Sequence, residues 1–276
     1  MIKRMGWRLV LFFYSHARDK IVPGDSMKNA QTFSLHPDQY AASRPQYPRE
    51  LFAFLAAAAP ERARAWDCAT GNGQAAVSYA EYFSQVQATD ISPEQLRHAD
   101  ARPKIHYSVC PAERTPFANR AFDLIGVAQA IHWFDQPRFF QETERLLKPG
   151  GILAVWGYSH MFITPEADAL IAEKLDPLIN PFWASGNRQL MDGYPDLRLP
   201  FDPIEPPRDL AIQIAWTLPQ LLDYIRTWSA VKRYAEKFGS DPVTAVEPGL
   251  QTAWQNPDQP RLIRIPLIFK ASRKPA

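Results

Sequence analysis

The sequence predicts an α/β fold: a doubly wound, mostly parallel seven-stranded sheet with helices on both faces and an insertion after the fifth strand. Three observations predict it. Short apolar runs of strand length alternate with helical stretches between residues 48 and 157. That alternation belongs to parallel strands joined by helical crossovers and covered on both faces. The stretch "WDCATGNGQAAV" (66–77) places Gly71 and Gly73 where a strand must turn sharply into a helix. Two more strand signals, 210–216 and 262–269, return after a stretch in which the rhythm is lost.

The elements follow in order. Residues 48–59 read as a helix of apolar and alanine residues, 65–68 as the first strand, and 73–83 as the next helix. Val86, Ala88 and Asp90 end the second strand. "DISPEQL" (90–96) then starts a helix, with Ser92 as N-cap, Pro93 at the first helical position and Gln95 closing a capping box. Ile105, Tyr107 and Val109 alternate as the third strand, and "FDLIGVA" (122–128) is the fourth. Asp135 caps a helix running through Leu147, "KPGG" (148–151) stops it, and "ILAVW" (152–156) is the fifth strand. Residues 160–207, rich in Pro, Trp, Tyr and Asn, suit a cap over the open edge of a site. "TLPQ" (217–220) begins a helix between the last two strands by the same capping logic.

Composition bounds the function. A chain of 276 residues that is 46% hydrophobic can bury a full core as one large domain, or one domain plus a small cap. The net charge of +2 supplies no strong field toward nucleic acid or an anionic membrane, so neither is expected as a partner. Cys68 and Cys110 form no CxxC pair, which argues against a zinc site or disulfide frame and fits a reducing, cytoplasmic setting without metal. No apolar run approaches the roughly 18 residues of a membrane helix. "MIKRMGWRLVLFFYSHA" (1–17) sets basic residues before an apolar run shorter than a signal peptide's, with no clear cleavage site. The expected organisation is a flexible extension over 1–26, a lid and helix over 27–60, and a cofactor-binding core over 61–158. A cap over the acceptor site (159–207) and strands and helices completing the sheet (208–270) follow.

The glycine stretch admits two nucleotide-like cofactors. In a doubly wound sheet, ligands bind outside the carboxyl ends of the strands, where strand order reverses. Gly71-x-Gly73-x-x-Ala76 satisfies the GxGxxA form, and Asp90, about twenty residues on, stands where a carboxylate accepts ribose hydroxyls. That is compatible with an NAD(P)-dependent oxidoreductase. Asp67 favours the other reading: a pyrophosphate repels a nearby carboxylate, whereas a cofactor with an ammonium group and no phosphate welcomes one. S-adenosylmethionine (SAM) is such a cofactor.

"WDCATGNGQAA" (66–76) resembles motif I of class I SAM-dependent methyltransferases, and the likeness continues through "TD" (89–90), "PAERTPF" (111–117), "FDLIGVAQAIHWFD" (122–135) and "LLKPGGIL" (146–153). "YAASRPQYP" (40–48), "AQAIHWF" (128–134) and "WSAVKRY" (228–234) resemble, within that family, the branch of trans-aconitate-type small-molecule methyltransferases. The resemblance runs from about residue 33 to residue 269. It implies a Rossmann-like sheet and transfer of a methyl group from SAM to a small-molecule acceptor, releasing S-adenosylhomocysteine. A SAM-binding regulator without catalysis is the other function it allows.

The family's roles fall on particular positions. Asp67 would orient the methionine amine, Gly71 and Gly73 admit the methionine and ribose, and Asp90 bind the ribose diol. Ile91 would pack on adenine, Ala112 donate its amide, Glu113 supply the nearby acid, and Gln129 sit beneath the sulfonium. The rival role for Ile91 is ordinary core, and for Asp90 a helix cap. Ala69 stands where the family often has Gly, and permits the turn if its φ is negative; Pro111 replaces an Asp common before the Ala-Glu pair. Tyr40, Arg44 and Tyr47 offer a lid of aromatics and a cation, and Arg188 and Arg233 are further cations for an acidic acceptor. His132, the one plausible catalytic base, and Trp133 lie just past the fourth strand, where the acceptor approaches. "NPFW" (180–183) is similar to a base-methylating motif but falls after the fifth strand, and reads as a turn.

Overall fold

The computed structural model describes residues 45–276. Five short strands build the parallel part of the sheet: β1 (Arg64–Cys68), β2 (Gln85–Asp90), β3 (Ile105–Val109), β4 (Phe122–Ala128) and β5 (Leu147–Gly157). A further two, β6 (Asp202–Pro203) and β9 (Ile268–Arg273), close one edge antiparallel, giving the order β3-β2-β1-β4-β5-β9-β6. From β1 the chain winds outward to β2 and β3; it then returns to β4 on the other side of β1. The order therefore reverses between β1 and β4, and in open α/β sheets ligands bind beyond the carboxyl ends of the strands at such a point.

Alternation along the strands sorts the core into two layers. Ala65 faces Leu51, Phe52 and Leu55 of α1 (Arg49–Ala58) and Tyr79 of α2 (Gln74–Tyr79). Trp66 and Cys68 face the opposite layer, with Phe139 and Leu146 of α4 (Gln136–Leu146). Each fully buried aromatic or leucine contributes about 1.5–3 kcal/mol. Asp67, two residues from Ala65, is a carboxylate set in the first layer.

The helix starts follow their caps. Ser92 accepts from the Gln95 amide at the head of α3 (Pro93–Arg97). The expected reciprocal arm of that box is displaced, because the Ser92 amide donates to Asp90 Oδ1 at 2.9 Å. Asp135 caps α4 as expected. The helix stops at Leu146, one residue early, and 147–151 already run as the irregular start of β5 beside a register shift in β4. The helix expected over 73–83 closes at Tyr79, after which the chain continues in tight turns. The insertion holds α5 (Pro165–Leu170), a π-helical turn (Ile171–Leu175), α6 (Asp176–Ile179), a 3₁₀ turn (Asn180–Phe182) and α7 (Ser185–Met191). Thr217 and Gln220 make both arms of a capping box ahead of α8 (Leu218–Arg226), which is followed by α9 (Ser229–Phe238) and α10 (Glu247–Trp254).

One expected pairing is corrected. β7 (Ala211–Trp216) leaves the main sheet and pairs with β8 (Arg261–Pro266) as a separate antiparallel ribbon. The single strand expected over 262–269 is two: Pro266 has no N–H to continue a ladder, and the chain steps through Leu267 into β9. No helix among the described residues is long and apolar enough to cross a membrane.

Candidate active site

The turn after β1 is held by backbone bonds before any ligand is considered. The Thr70 amide donates to the Thr89 carbonyl at 2.9 Å and the Gly73 amide to the Thr70 carbonyl at 3.0 Å. These ties force Ala69, Gly71 and Gly73 into the left-handed region, at φ +56°, +58° and +88°. The condition under which Ala69 would suit the turn, a negative φ, is not met: an L-residue carries there a conformation that glycine adopts freely. Gly73 is required twice over, since a Cβ on it would lie 2.4 Å from the Tyr107 hydroxyl. Left-handed geometry costs an L-residue about 1–2 kcal/mol, and glycine's extra unfolded-state freedom offsets about 0.5–1 of that. Ala69→Gly is therefore expected to stabilise the protein by up to about 1 kcal/mol, read by denaturant unfolding; a loss of stability would contradict this account of the turn.

Two carboxylates flank the turn. Asp67 is fully buried; Oδ2 accepts from the Thr70 hydroxyl, while Oδ1 has no hydrogen-bond partner among the described residues. Burial lifts its carboxyl to about 7, against the pull of the Thr70 hydroxyl and the Ala76 amide, with a smaller push from Asp90. Asp90 ties β2 to the turn: Oδ2 accepts from the Gly71 amide and Oδ1 from the Ser92 amide, each at 2.9 Å. Burial raises its pKa too, opposed by the Ser92, Gly71 and Ile91 amides. It is therefore a brace of the glycine turn, and Ser92 does the helix capping. Each carboxylate oxygen has more than one lone-pair site, so hydroxyls can still be accepted.

Beyond Asp90 the apolar surface is open. Ile91 is 61% exposed and Val109, at the end of β3, 58% exposed, which sets aside the core role for Ile91 and leaves a face for a flat ring. Ala112 is buried nearby in sequence, and Glu113 Oε1 accepts from the Asp135 amide at 3.0 Å. One oxygen of the expected adenine-side acid is thus committed to the head of α4.

A second group of side chains gathers at the end of β4. Gln129 takes φ +57°, donates from its backbone amide to the Trp156 carbonyl at 2.8 Å, and donates from Nε2 to the Tyr158 carbonyl at 3.1 Å. Gly157 lets it approach, because a Cβ there would meet Gln129 Oε1 at 2.9 Å and Leu190 Cδ1 at 2.6 Å. His132 and Trp133 lie in a 3₁₀ turn (Ile131–Trp133) against the bare backbone of Gly186 in α7. Burial lowers His132 to about 3, so it is neutral at physiological pH. Tyr47 is buried edge-on to Trp156 at 5.7 Å, a wall more than a movable cover.

The expected cations do not converge among the described residues. Arg188 is exposed on α7, and Arg233 Nη1 donates to the Phe182 carbonyl at 3.0 Å. Tyr40 and Arg44 lie outside the described residues. Sequence reasoning missed Tyr158 and Tyr194, the latter bonded to His132 from 62 positions away. Left-handed φ at Tyr194 (+53°) was the structural mark, and Gly193 before it the sequence-level hint.

The residues present fit SAM. Asp67 Oδ1, unpartnered among the described residues, suits an ammonium group, the bare backbone of Gly71 has only Gln95 Oε1 near the place of a Cβ, at 3.8 Å, and Ile91 presents an apolar face beside Asp90. A pyrophosphate would meet two carboxylates instead. Comparison with known proteins agrees. The Methyltransferase domain family matches residues 66–155. A protein of Dictyostelium discoideum named as a methyltransferase is 28% identical over 79% of this chain and 84% of its own. A solved structure from Anaeromyxobacter dehalogenans, described as a type II methyltransferase, is 37% identical with a TM-score of 0.80, covering 84% of this chain and 99% of that one. The malonyl-[acyl-carrier protein] O-methyltransferase of Enterobacter lignolyticus is 30% identical over 54% of this chain and 57% of its own.

Proposed function

The chain belongs to the class I SAM-dependent methyltransferases, and on that premise we propose that it methylates an oxygen of a small carboxylic acid. Bound SAM supplies an electrophilic methyl group on a sulfonium. The chain's own residues have to hold cofactor and acceptor in line and keep water out, which contributes several kcal/mol through effective molarity. In this reading Asp67 takes the methionine ammonium, Asp90 the ribose diol and Ile91 the adenine. Ala112 and Glu113 border the adenine, Gln129 lies beneath the sulfonium, and the Trp133 and Tyr47 rings bound the acceptor.

The observation that carries the acceptor class is His132. A general base works best with a pKa near the operating pH, and burial holds this imidazole near 3. Its Nδ1 is also occupied by Tyr194 at 2.6 Å. A hydroxyl or ammonium acceptor needs such a base; a carboxylate is already ionised and needs none. The likeness to a malonyl-[acyl-carrier protein] O-methyltransferase supports methylation of an oxygen. Of the cations named for such an acid, Arg188 is exposed on α7 and Arg233 is bonded to the Phe182 carbonyl, while Arg44, in the same stretch as Tyr40, lies outside the described residues, so the acid class does not rest on them.

Incubation with methyl-labelled SAM and a panel of small acids, phenols and amines tests it. The expected products are base-labile methyl esters, with a rate at saturating SAM that is level from about pH 6 to 8. His132→Ala should lower kcat by no more than about tenfold, below the roughly hundredfold at which general-base effects begin. Transfer only to hydroxyls or amines, abolished in His132→Ala with SAM affinity intact, would overturn the carboxylate reading.

A further inference from the structure

The His132–Tyr194 contact carries an inference about what the histidine does. Tyr194 is 2% exposed, and its hydroxyl lies 2.6 Å from His132 Nδ1. The ring is fixed in place. Its residue sits at φ +53°, its amide donates to the Gln189 carbonyl at 2.8 Å, and its carbonyl accepts from the Leu197 amide at 3.2 Å. His132 is equally confined, with Trp133 at 4.6 Å between ring centroids and Gly186 backbone where a Cβ would meet Cδ2 at 3.0 Å.

A neutral imidazole carries one N–H, so two arrangements compete. If Nδ1 held the proton and donated to the phenol oxygen, the Tyr194 O–H would need a second acceptor. Among the described residues His132 is the sole hydrogen-bond partner of that hydroxyl. A buried O–H left without an acceptor is costly, whereas an oxygen lone pair left unused is less so. The arrangement that wastes nothing has the phenol donating to Nδ1 and the proton on Nε2, which has no partner among the described residues.

We propose that Tyr194 is a positioning residue that locks His132 in its Nε2–H tautomer, making the ring a hydrogen-bond donor to an acceptor oxygen and closing both nitrogens to base catalysis. The assignment of that oxygen rests on the carboxylate reading above; the tautomer does not. The donor would hold one carboxylate oxygen while the other meets the methyl group, and no proton changes hands at the ring.

The test is long-range ¹H–¹⁵N correlation on the full chain labelled at histidine nitrogens, without added cofactor, with the His132 signals assigned by their loss in His132→Gln. Nδ1 is expected in the unprotonated range and Nε2 in the protonated range from pH 6 to 8, as a single tautomer. Tyr194→Phe, which keeps the ring and removes the hydroxyl, should bring His132 to a mixture of tautomers. A protonated Nδ1 in the wild type would overturn the proposal, and that reading stands whether or not the variant folds. An unchanged tautomer in a folded Tyr194→Phe protein would overturn it as well. Because no turnover is needed, failure of the acceptor class leaves this result intact, and the reverse also holds.

Discussion

Asp67→Asn is expected to weaken SAM binding by about ten- to hundredfold, the range for removing a charge from a buried hydrogen bond. In the wild type the same residue should make binding depend on pH. Burial lifts the Asp67 carboxyl from 3.8 to about 7, so below that pH it is protonated and offers an ammonium no charge. Binding an ammonium selects the carboxylate, and affinity then falls as pH drops through about 7, by about tenfold between pH 8 and 6. The sign for stability is the opposite. With a folded pKa raised above the unfolded one, the ligand-free protein is most stable when Asp67 is protonated, and loses that contribution as pH rises from about 4 to about 7. Titrations of SAM into wild type and Asp67→Asn at pH 6, 7 and 8 check this: Asp67→Asn should lose the limb. An equal slope in wild type and variant would place the pH dependence elsewhere.

The second large effect lies under the site. Gly126, on β4 in register with Asp67, has the Tyr79 ring against it: an added Cβ would stand 1.9 Å from the hydroxyl and 2.9 Å from Cζ. Tyr79 has nowhere to go, packed on Phe52 at 5.2 Å and Phe83 at 6.0 Å. Gly126→Ala is expected to cost about 3 kcal/mol, at the upper end of overpacking, lowering Tm by about 6–12 °C for a chain of this size. The Tyr79 hydroxyl is buried without a partner among the described residues, so Tyr79→Phe alone should be neutral or stabilising. Added to Gly126→Ala it should recover part of the loss. A Gly126→Ala protein as stable as wild type would show that this layer is looser than the contacts indicate.

What could be read before folding was local. The strands β1 to β5, the caps at Ser92, Asp135 and Thr217, and the pairing of the glycine turn with Asp90 all depend on residues close in sequence. The partner of β7 did not, because alternation in 211–216 suits either sheet and the choice is made by β8, some fifty residues on. The break at Pro266 was legible by its missing N–H and went unread. Within the candidate site, Asp67 and Asp90 could be named from the sequence because their offsets from the glycines are short. Ala69's left-handed φ was not, since it is imposed by the bond from Thr70 to Thr89 across the strands. Tyr194 reaches His132 from 62 positions away, and no spacing in the chain announces it.

The measurement that bears most directly on the site is calorimetric titration of S-adenosylhomocysteine into wild type and Asp90→Ala at pH 8. Asp90 braces the Gly71 amide and, in this account, the ribose diol, so its removal should weaken binding by about 1–3 kcal/mol from a micromolar starting point. NADH should give no comparable heat. Equal affinity of wild type and Asp90→Ala for the nucleoside, or tighter binding of NADH, would contradict the assignment of this glycine turn and its two carboxylates to SAM.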